Sequence, residues 1–436
     1  MSETRLQRWF NLRAGEWQPV LLSALFFFLV LTALMVLRPA RDALGMERGI
    51  DQVRVLFIGT AVVTLAVNPL FGWLVSRYAR LHVLASTYGF FALSLIGFYL
   101  LLVAAPERVG QVSGQVFYVW FSVFNFFATM LFWALMADRY SLAQSQRLFP
   151  FIAAGGTLGA IAGPWLALQL AQPLGTASLL LVAVGCLLLA LPVGRAVAHS
   201  QASAPQREAE AAAAPPESSV IGGSAWAGIA VLFRSPFLLG IAMYVVLLSV
   251  MVTFLYFTRL QMVEALGGDL DLRTTWLARI DLYTQLLTLV MQLALSGHLI
   301  RRVGLSAALA LVPLTTALGF IGLAMAASLA ALVVLEALLK ALQRSLMRPA
   351  RESLFTVVTR EHKYKAKAVI DTFVYRFGDV LGAQTEGVLG RLGMGLYALT
   401  VAAVPLALLW AALGWWLGRT RQRVGRDAAL GAKPSH

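Results

Sequence analysis

The sequence predicts an all-α membrane protein of about 12 transmembrane helices arranged in two six-helix halves. Three observations carry that expectation: long apolar runs recur along the whole chain, basic residues gather in alternate loops, and short motifs repeat about 225 residues apart. Of 436 residues, 59% are apolar and only 13% charged, and the mean hydropathy is +0.76. A soluble chain is nearer half apolar and a quarter charged, so the bilayer is the solvent for most of these residues.

The apolar runs place spans at roughly 19–37, 53–75, 82–104, 116–137, 148–171, 176–195, 237–258, 275–299, 305–327, 329–347, 368–389 and 395–417. The first run, Pro19 to Leu37, is too long for the apolar region of a secretory signal and lacks a cleavage pattern, so it is expected to remain as span one. The stretch from His199 to Ser224 is rich in Ala, Pro, Ser, Gln and Glu and reads as a flexible linker. The expected organisation is a six-helix half over 1–196, a cytoplasmic linker over 197–236, a second six-helix half over 237–418 and a basic tail over 419–436.

Arg5, Arg8 and Arg13 precede span one, Arg77 and Arg80 follow span two, and Arg139 and Arg147 flank the loop after span four. Basic residues recur after spans six, eight, ten and twelve. The positive-inside bias then puts both termini in the cytoplasm, with a bacterial inner membrane as the location. The net charge of +14 is largely this topological signal and implies no nucleic-acid partner. Cys186 sits in an apolar run as a packing residue, and the five histidines have no metal-ligand spacing. No Gly-Lys dipeptide is present, so there is no Walker-type phosphate loop. With no nucleophile–base constellation either, the expectation is a non-enzyme with no catalytic residue, metal or cofactor, working as a monomer.

Two echoes support duplicated halves. Gly72-Trp73-Leu74-Val75-Ser76-Arg77 after span two matches Gly297-His298-Leu299-Ile300-Arg301-Arg302 after span eight, and Leu158-Gly159-Ala160 in span five matches Leu381-Gly382-Ala383 in span eleven. The Gly-x-Leu-x-x-Arg form resembles the loop signature of the major facilitator superfamily, which implies a major-facilitator-like bundle. Gly155, Gly159 and Gly163 stand four apart in span five, a face suited to close helix packing. Gly159-x-x-x-Gly163-Pro164 is also similar to the span-five signature of major-facilitator antiporters.

Ionisable residues inside spans are costly and mark function by default. Span ten carries Glu336, Lys340, Arg344 and Arg348 at successive i+4 steps, one acid and three bases on the face of a regular helix. Lys340 is expected about 16–18 Å from the periplasmic end, near the midplane. Two readings compete: a self-neutralised pair that locks span ten to a neighbour, and a cavity lined for an anion, which also accounts for Arg344. Arg38, Arg41, Arg259, Arg279 and Arg376 add bases, while Asp42, Asp281, Asp371, Asp379 and Glu386 supply acids. The excess of bases favours a phosphate- or carboxylate-bearing substrate. Leu37-Arg38-Pro39-Ala40-Arg41-Asp42 ends span one, and Met347-Arg348-Pro349-Ala350-Arg351-Glu352 ends span ten. Proline is expected to interrupt both helices, leaving two hinged, basic half-helices at opposite mouths.

These segments resemble the nucleotide transporters typified by the ATP/ADP translocases of plastids and obligate intracellular bacteria. Leu37-Arg38-x-x-Arg41-Asp42-Ala43-Leu44 is similar to that family's Leu-Arg-Asp-Thr-Lys-Asp-Ala-Leu. Phe132-Trp133 with Ala137-Asp138 resembles a Phe-Trp stretch that ends in glutamate. Arg348-x-x-Arg351-Glu352-Ser353-Leu354-Phe355 resembles Lys-x-x-Lys-Tyr-Ser-Leu-Phe. Lys365-Ala366-Lys367-Ala368-Val369-Ile370-Asp371, with Arg376-Phe377-Gly378, resembles Lys-Gly-Lys-Ala-Ala-Val-Asp followed by Arg-Leu-Gly. The resemblance implies substrate-binding or transport roles for Arg41, Asp138 and Lys367. The chain departs from the family where Arg41, Arg348 and Arg351 replace lysines, and where Phe254 to Thr258 lacks the span-seven glutamate.

The sequence thus points to an alternating-access antiporter of nucleotides or another phosphorylated anion, with the lipid bilayer as its surroundings. The expected substrate-binding residues are Arg38, Arg41, Asp138, Lys340, Arg344, Arg348, Arg351, Lys367 and Arg376. Asp42, Glu336, Asp371 and Glu386 are expected to couple or gate. Two alternatives stay open: a proton-coupled carrier of a different organic anion, with Asp138, Asp371 or Glu386 as relay, and a non-transport membrane scaffold.

Overall fold

In the computed structural model, residues 15–104, 107–200, 225–294, 303–391 and 395–429 are described, and every regular element among them is helical. The first six expected spans are α1 (Trp17–Met46), α2 (Ile50–Arg77), α3 (Arg80–Ala104), α4 (Glu107–Arg139), α5 (Leu142–Leu174) and α6 (Ser178–His199). After the linker come α7 (Ala225–Arg234), α8 (Pro236–Ala265), α9 (Leu270–Ala294), α10 (Leu305–Met325) and α11 (Leu329–Leu342). The remaining helices are α12 (Arg348–Leu354), α13 (Arg360–Val369), α14 (Tyr375–Arg391) and α15 (Gly395–Ala429). Most of the expected linker, and the Gly297–Arg302 copy of the loop motif, lie outside the described residues.

A backbone in hydrocarbon has no water to bond, so the helix satisfies each amide within its own segment. Helix starts are fixed by local chemistry. Ser141 and Gln144 form a reciprocal capping box at α5, and Ser235 caps α8 ahead of Pro236. Among the described residues, α1 to α6, α8, α10 and α15 are long and apolar enough to cross a membrane. The expected span eight, α9, falls short because of its polar and charged residues, whereas spans ten and eleven fall short in length, α11 holding 14 residues and α14 holding 17. In addition, spans ten and eleven are interrupted by π-turns, Gln343–Met347 between α11 and α12 and Ile370–Val374 between α13 and α14.

The chain forms two compact units. The first comprises Met1–Gln52, Val62–Ser218 and Gly267–Leu282; the second comprises Val53–Ala61, Ser219–Leu266 and Tyr283–His436. In the first, α1 lies against α5. A Cβ added to Gly163 would come within 2.7 Å of Met35 Cβ, so the glycine row of α5 is what lets these two helices approach. Phe27 stacks on Phe132 at 4.1 Å, and Tyr88, Phe91, Phe117 and Phe124 fill the interior. In the second unit the same geometry joins α8 to α14: a Cβ on Gly382 would meet Thr253 Cβ at 2.9 Å. The repeated Leu-Gly-Ala therefore marks one packing contact made twice, span five on span one and span eleven on span seven.

Two local outcomes differ from expectation. Pro39 does not break span one, because α1 runs unbroken through it to Met46. Losing one amide bond is tolerated where neighbouring helices enclose the turn, and Pro39 and Ala40 are buried. At the second copy the helix does change, but the π-turn precedes the motif, and Pro349 is the second residue of α12, which continues from that turn in helical geometry.

Candidate functional site

A π-turn inserts one residue into the helical register. Each extra residue swings the following side chains by about 100°. The row Glu336, Lys340, Arg344, Arg348 is therefore not one face: Arg344 lies in the turn itself and Arg348 begins the next segment. Upstream, Lys340 Nζ donates to Glu336 Oε2 at 3.0 Å, and Arg259, which is almost wholly buried, stands 3.9 Å from the same oxygen. Glu336 thus has a base on each side.

Downstream, the charged groups converge on the two π-turns. Arg351 Nη2 lies 3.4 Å from Asp371 Oδ1, which joins α12 to the π-turn of span eleven, and 3.8 Å from Glu352 Oε1. Lys367 Nζ donates to Glu352 Oε2 at 2.6 Å. Arg376 Nη1 donates to Asp379 Oδ2 at 3.0 Å. Arg344 and Arg348 are exposed, and Arg348 and Arg351 both act electrostatically on Tyr375. Among the described residues Arg348 has no hydrogen bond or ion pair. Arg351, Lys367 and the expected coupling residue Asp371 are thus linked through shared carboxylates, and Arg348, Arg351 and Arg376 all lie within electrostatic reach of Tyr375. π-turns occur frequently at functional sites because they re-aim side chains within a helix.

The other expected residues lie elsewhere. In the first unit, Arg41 Nε donates to Asp42 Oδ1 at 2.8 Å, and its guanidinium stands over Tyr118 at 4.6 Å and Phe121 at 5.2 Å. Arg38 Nη1 is 3.7 Å from Asp281 Oδ1. Asp138, at the end of α4, pairs with Arg80 at 2.5 Å with both side chains largely in the open. In the second unit, Glu386 is 2% exposed and receives Arg54 Nε at 2.7 Å, Arg54 Nη2 at 3.1 Å and Gln261 Nε2 at 2.5 Å. A bidentate fork of this kind adds geometric specificity to the charge pairing.

Sequence reasoning overlooked Arg54, Gln261, Ser249 and Glu16. Glu16 is held by Arg147 through two bonds of 2.6 and 2.7 Å. Arg54 carried a signal, a lone base at the start of an apolar run, but such a base also suits a headgroup anchor. Ser249 carried none.

The fold is that of the major-facilitator transporters, in a multi-pass membrane protein. The chain superposes on a mutant form of the nucleoside transporter NupG with a TM-score of 0.63 at 13% identity, covering 93% of this chain and 99% of that one. A D-xylose–proton symporter gives 0.59 at 14% identity, with 91% and 97% covered. A bacterial homologue of the human lysosomal transporter Spinster, inward-facing and unoccupied, gives 0.54 at 13% identity, with 97% and 99% covered. No protein-family model and no curated protein sequence matches the chain.

Proposed function

We propose that the chain is an alternating-access secondary transporter of a small anion bearing phosphate or carboxylate, and an antiporter of ATP/ADP-like nucleotides in its most specific form. The observation that carries this reading is the exposed Arg348, which no described residue neutralises, beside Arg351, Lys367 and Arg376 at two π-turns. A cation inside a span is retained at a cost of several kcal/mol unless something answers it. An arriving oxyanion is the partner such a cluster suits, since guanidinium offers planar, paired donors. The likeness to the translocase motifs at Arg348–Phe355 and Lys365–Asp371 supports a nucleotide, as does a nucleoside transporter with the same fold. In this reading the protein performs no chemistry, works as a monomer in the bacterial inner membrane, and keeps both termini in the cytoplasm.

The test is uptake of labelled ATP into proteoliposomes with and without internal ADP, for the parent protein and Arg348→Gln. Stimulation by internal ADP that the variant lacks supports exchange at this site. Uptake that collapses with an uncoupler and is indifferent to internal ADP moves the reading from exchange to a proton-driven carrier. Absence of uptake of any phosphorylated or carboxylate anion rejects transport in favour of a scaffold.

A further inference from the structure

Asp379 belongs to neither the expected site nor its expected coupling residues, yet its surroundings are built with care. It lies on α14, one turn beyond the π-turn Ile370–Val374. Here α14 presses on α8: a Cβ at Gly378 would lie 2.7 Å from Ser249 Cβ. Ser249 is 0% exposed. Its Oγ is bonded to Asp379 Oδ1 and also lies 3.0 Å from the carbonyl oxygen of Tyr375. A serine hydroxyl holds one proton and can donate once. Two acceptors, a carboxylate oxygen and a carbonyl, therefore face a single donor in a closed space. The other carboxylate oxygen takes Arg376 Nη1 at 3.0 Å.

We propose that Asp379 takes up and releases one proton in each transport cycle, with Ser249 as the hydroxyl that reports its state to the backbone. With the proton bound, an O–H bond on Oδ1 donates to Ser249 Oγ, and the Ser249 hydroxyl donates to the Tyr375 carbonyl. Every polar atom of the trio is then satisfied. On release, that O–H bond breaks, the proton leaves to water, and the carboxylate keeps the electron pair. The Ser249 hydroxyl turns to Oδ1, and the Tyr375 carbonyl loses the bond. Tyr375 is the first residue after the π-turn, so the exchange acts on the segment that carries Asp371.

The charged groups around Asp379 set the consequence. Arg376 lies on its own helix, and Arg348 and Arg351, from span ten, act on the adjacent Tyr375. Ser249 is the polar group that α8 brings to the carboxylate. From α15, no Asp, Glu, Lys, Arg or His occurs between Gly395 and Gly418. With Asp379 ionised, Arg376 is neutralised; with Asp379 protonated, the cluster gains one positive charge and attracts an anion more strongly. Proton and anion then travel together; this coupling, and the transport cycle in which the proton moves, rest on the anion-transport reading, whereas the titration of Asp379 does not.

The experiment is infrared difference spectroscopy of the full chain in lipid vesicles, titrated from about pH 4 to pH 9 without any substrate, so that it stands apart from the choice of anion. A carbonyl stretch of protonated carboxylic acid is expected in the parent protein, lost in Asp379→Asn and shifted to higher frequency in Ser249→Ala, which removes its hydrogen-bond partner. Should Asp379→Asn not be recoverable as folded protein, the Ser249→Ala shift decides. A titrating band that neither variant alters belongs to another acid and overturns the proposal, as does the absence of any such band.

Discussion

The chain contains Arg-Pro-Ala-Arg followed by an acid twice, and the two copies end in opposite conditions. At Arg38–Asp42 the helix continues, Asp42 is 0% exposed, and Arg41 is enclosed by that carboxylate and two aromatic rings. At Arg348–Glu352 a π-turn comes first, Glu352 is 45% exposed, and Arg351 reaches Asp371, itself 40% exposed. The tetrapeptide is therefore not the functional unit. Its neighbours decide how it is held. Arg351 is as enclosed as Arg41, at 15% against 16% exposed, but Arg348 and the acids Glu352 and Asp371 stand where a solute can reach them. Tyr118 and Phe121 on α4 close over Arg41 in the first copy, whereas the second follows a register change and leaves Arg348 exposed.

The largest effect should come from breaking the sealed copy. Arg41→Gln leaves the Asp42 carboxylate buried beside a neutral side chain, and removing one partner of a buried pair costs about 3–5 kcal/mol. Thermal unfolding of the purified protein should show a pronounced loss, and Arg41→Gln/Asp42→Asn should recover most of it. A double variant no better than the single one would mean that Arg41 matters for more than its partner, and the contrast between the two copies would blur.

Next comes binding at the open copy. Arg348→Gln and Arg351→Gln each remove a charged donor worth about 1.5–3 kcal/mol, or roughly ten- to hundredfold in affinity. The apparent constant for ATP in exchange assays should rise by that factor, while Arg348→Gln leaves the unfolding temperature near the parent value. A fall in unfolding temperature as steep as that of Arg41→Gln would place both copies in the same structural class.

How much of this was legible follows from what kind of information each feature needs. Uninterrupted apolar runs such as Leu21–Leu37 and Phe237–Leu255 announce their spans through composition alone, and the α5 glycines announce a close contact through their spacing. The π-turn of span ten was not legible, because a one-residue shift of register leaves no visible mark on a helix that is apolar nearly all round, as Leu329–Leu342 is. The row from Glu336 to Arg348 was consequently read as a single face, though the register shift divides it. Pairing was the other blind spot. Glu386 was singled out as an ionisable group in a span, but its partner Arg54 lies 332 residues away, and nothing local links them. Ser249 and Asp379, 130 residues apart, are hidden in the same way.

The smallest effect should appear at the exposed acid of the open copy, and it probes the comparison most finely. Glu352 corresponds to Asp42 in the repeat, so a motif that dictated structure would make the two acids equally important. Lys367 Nζ bonds Glu352 Oε2 at 2.6 Å, yet the two side chains are 34% and 45% exposed. Water screens such a pair, and exposed ion pairs contribute about 0–1 kcal/mol. Glu352→Gln should therefore shift the unfolding midpoint barely beyond error. Its effect should instead surface in function, because Lys367 loses its acid and Arg351 keeps only Asp371, which leaves both less neutralised toward an arriving anion. The apparent constant for ATP should fall modestly, by less than tenfold, and the fall should shrink as salt is raised. An unchanged constant at low salt would show that Lys367 and Arg351 do not meet the substrate. A large loss of stability would show that Glu352 is as deeply built in as Asp42, despite its exposure.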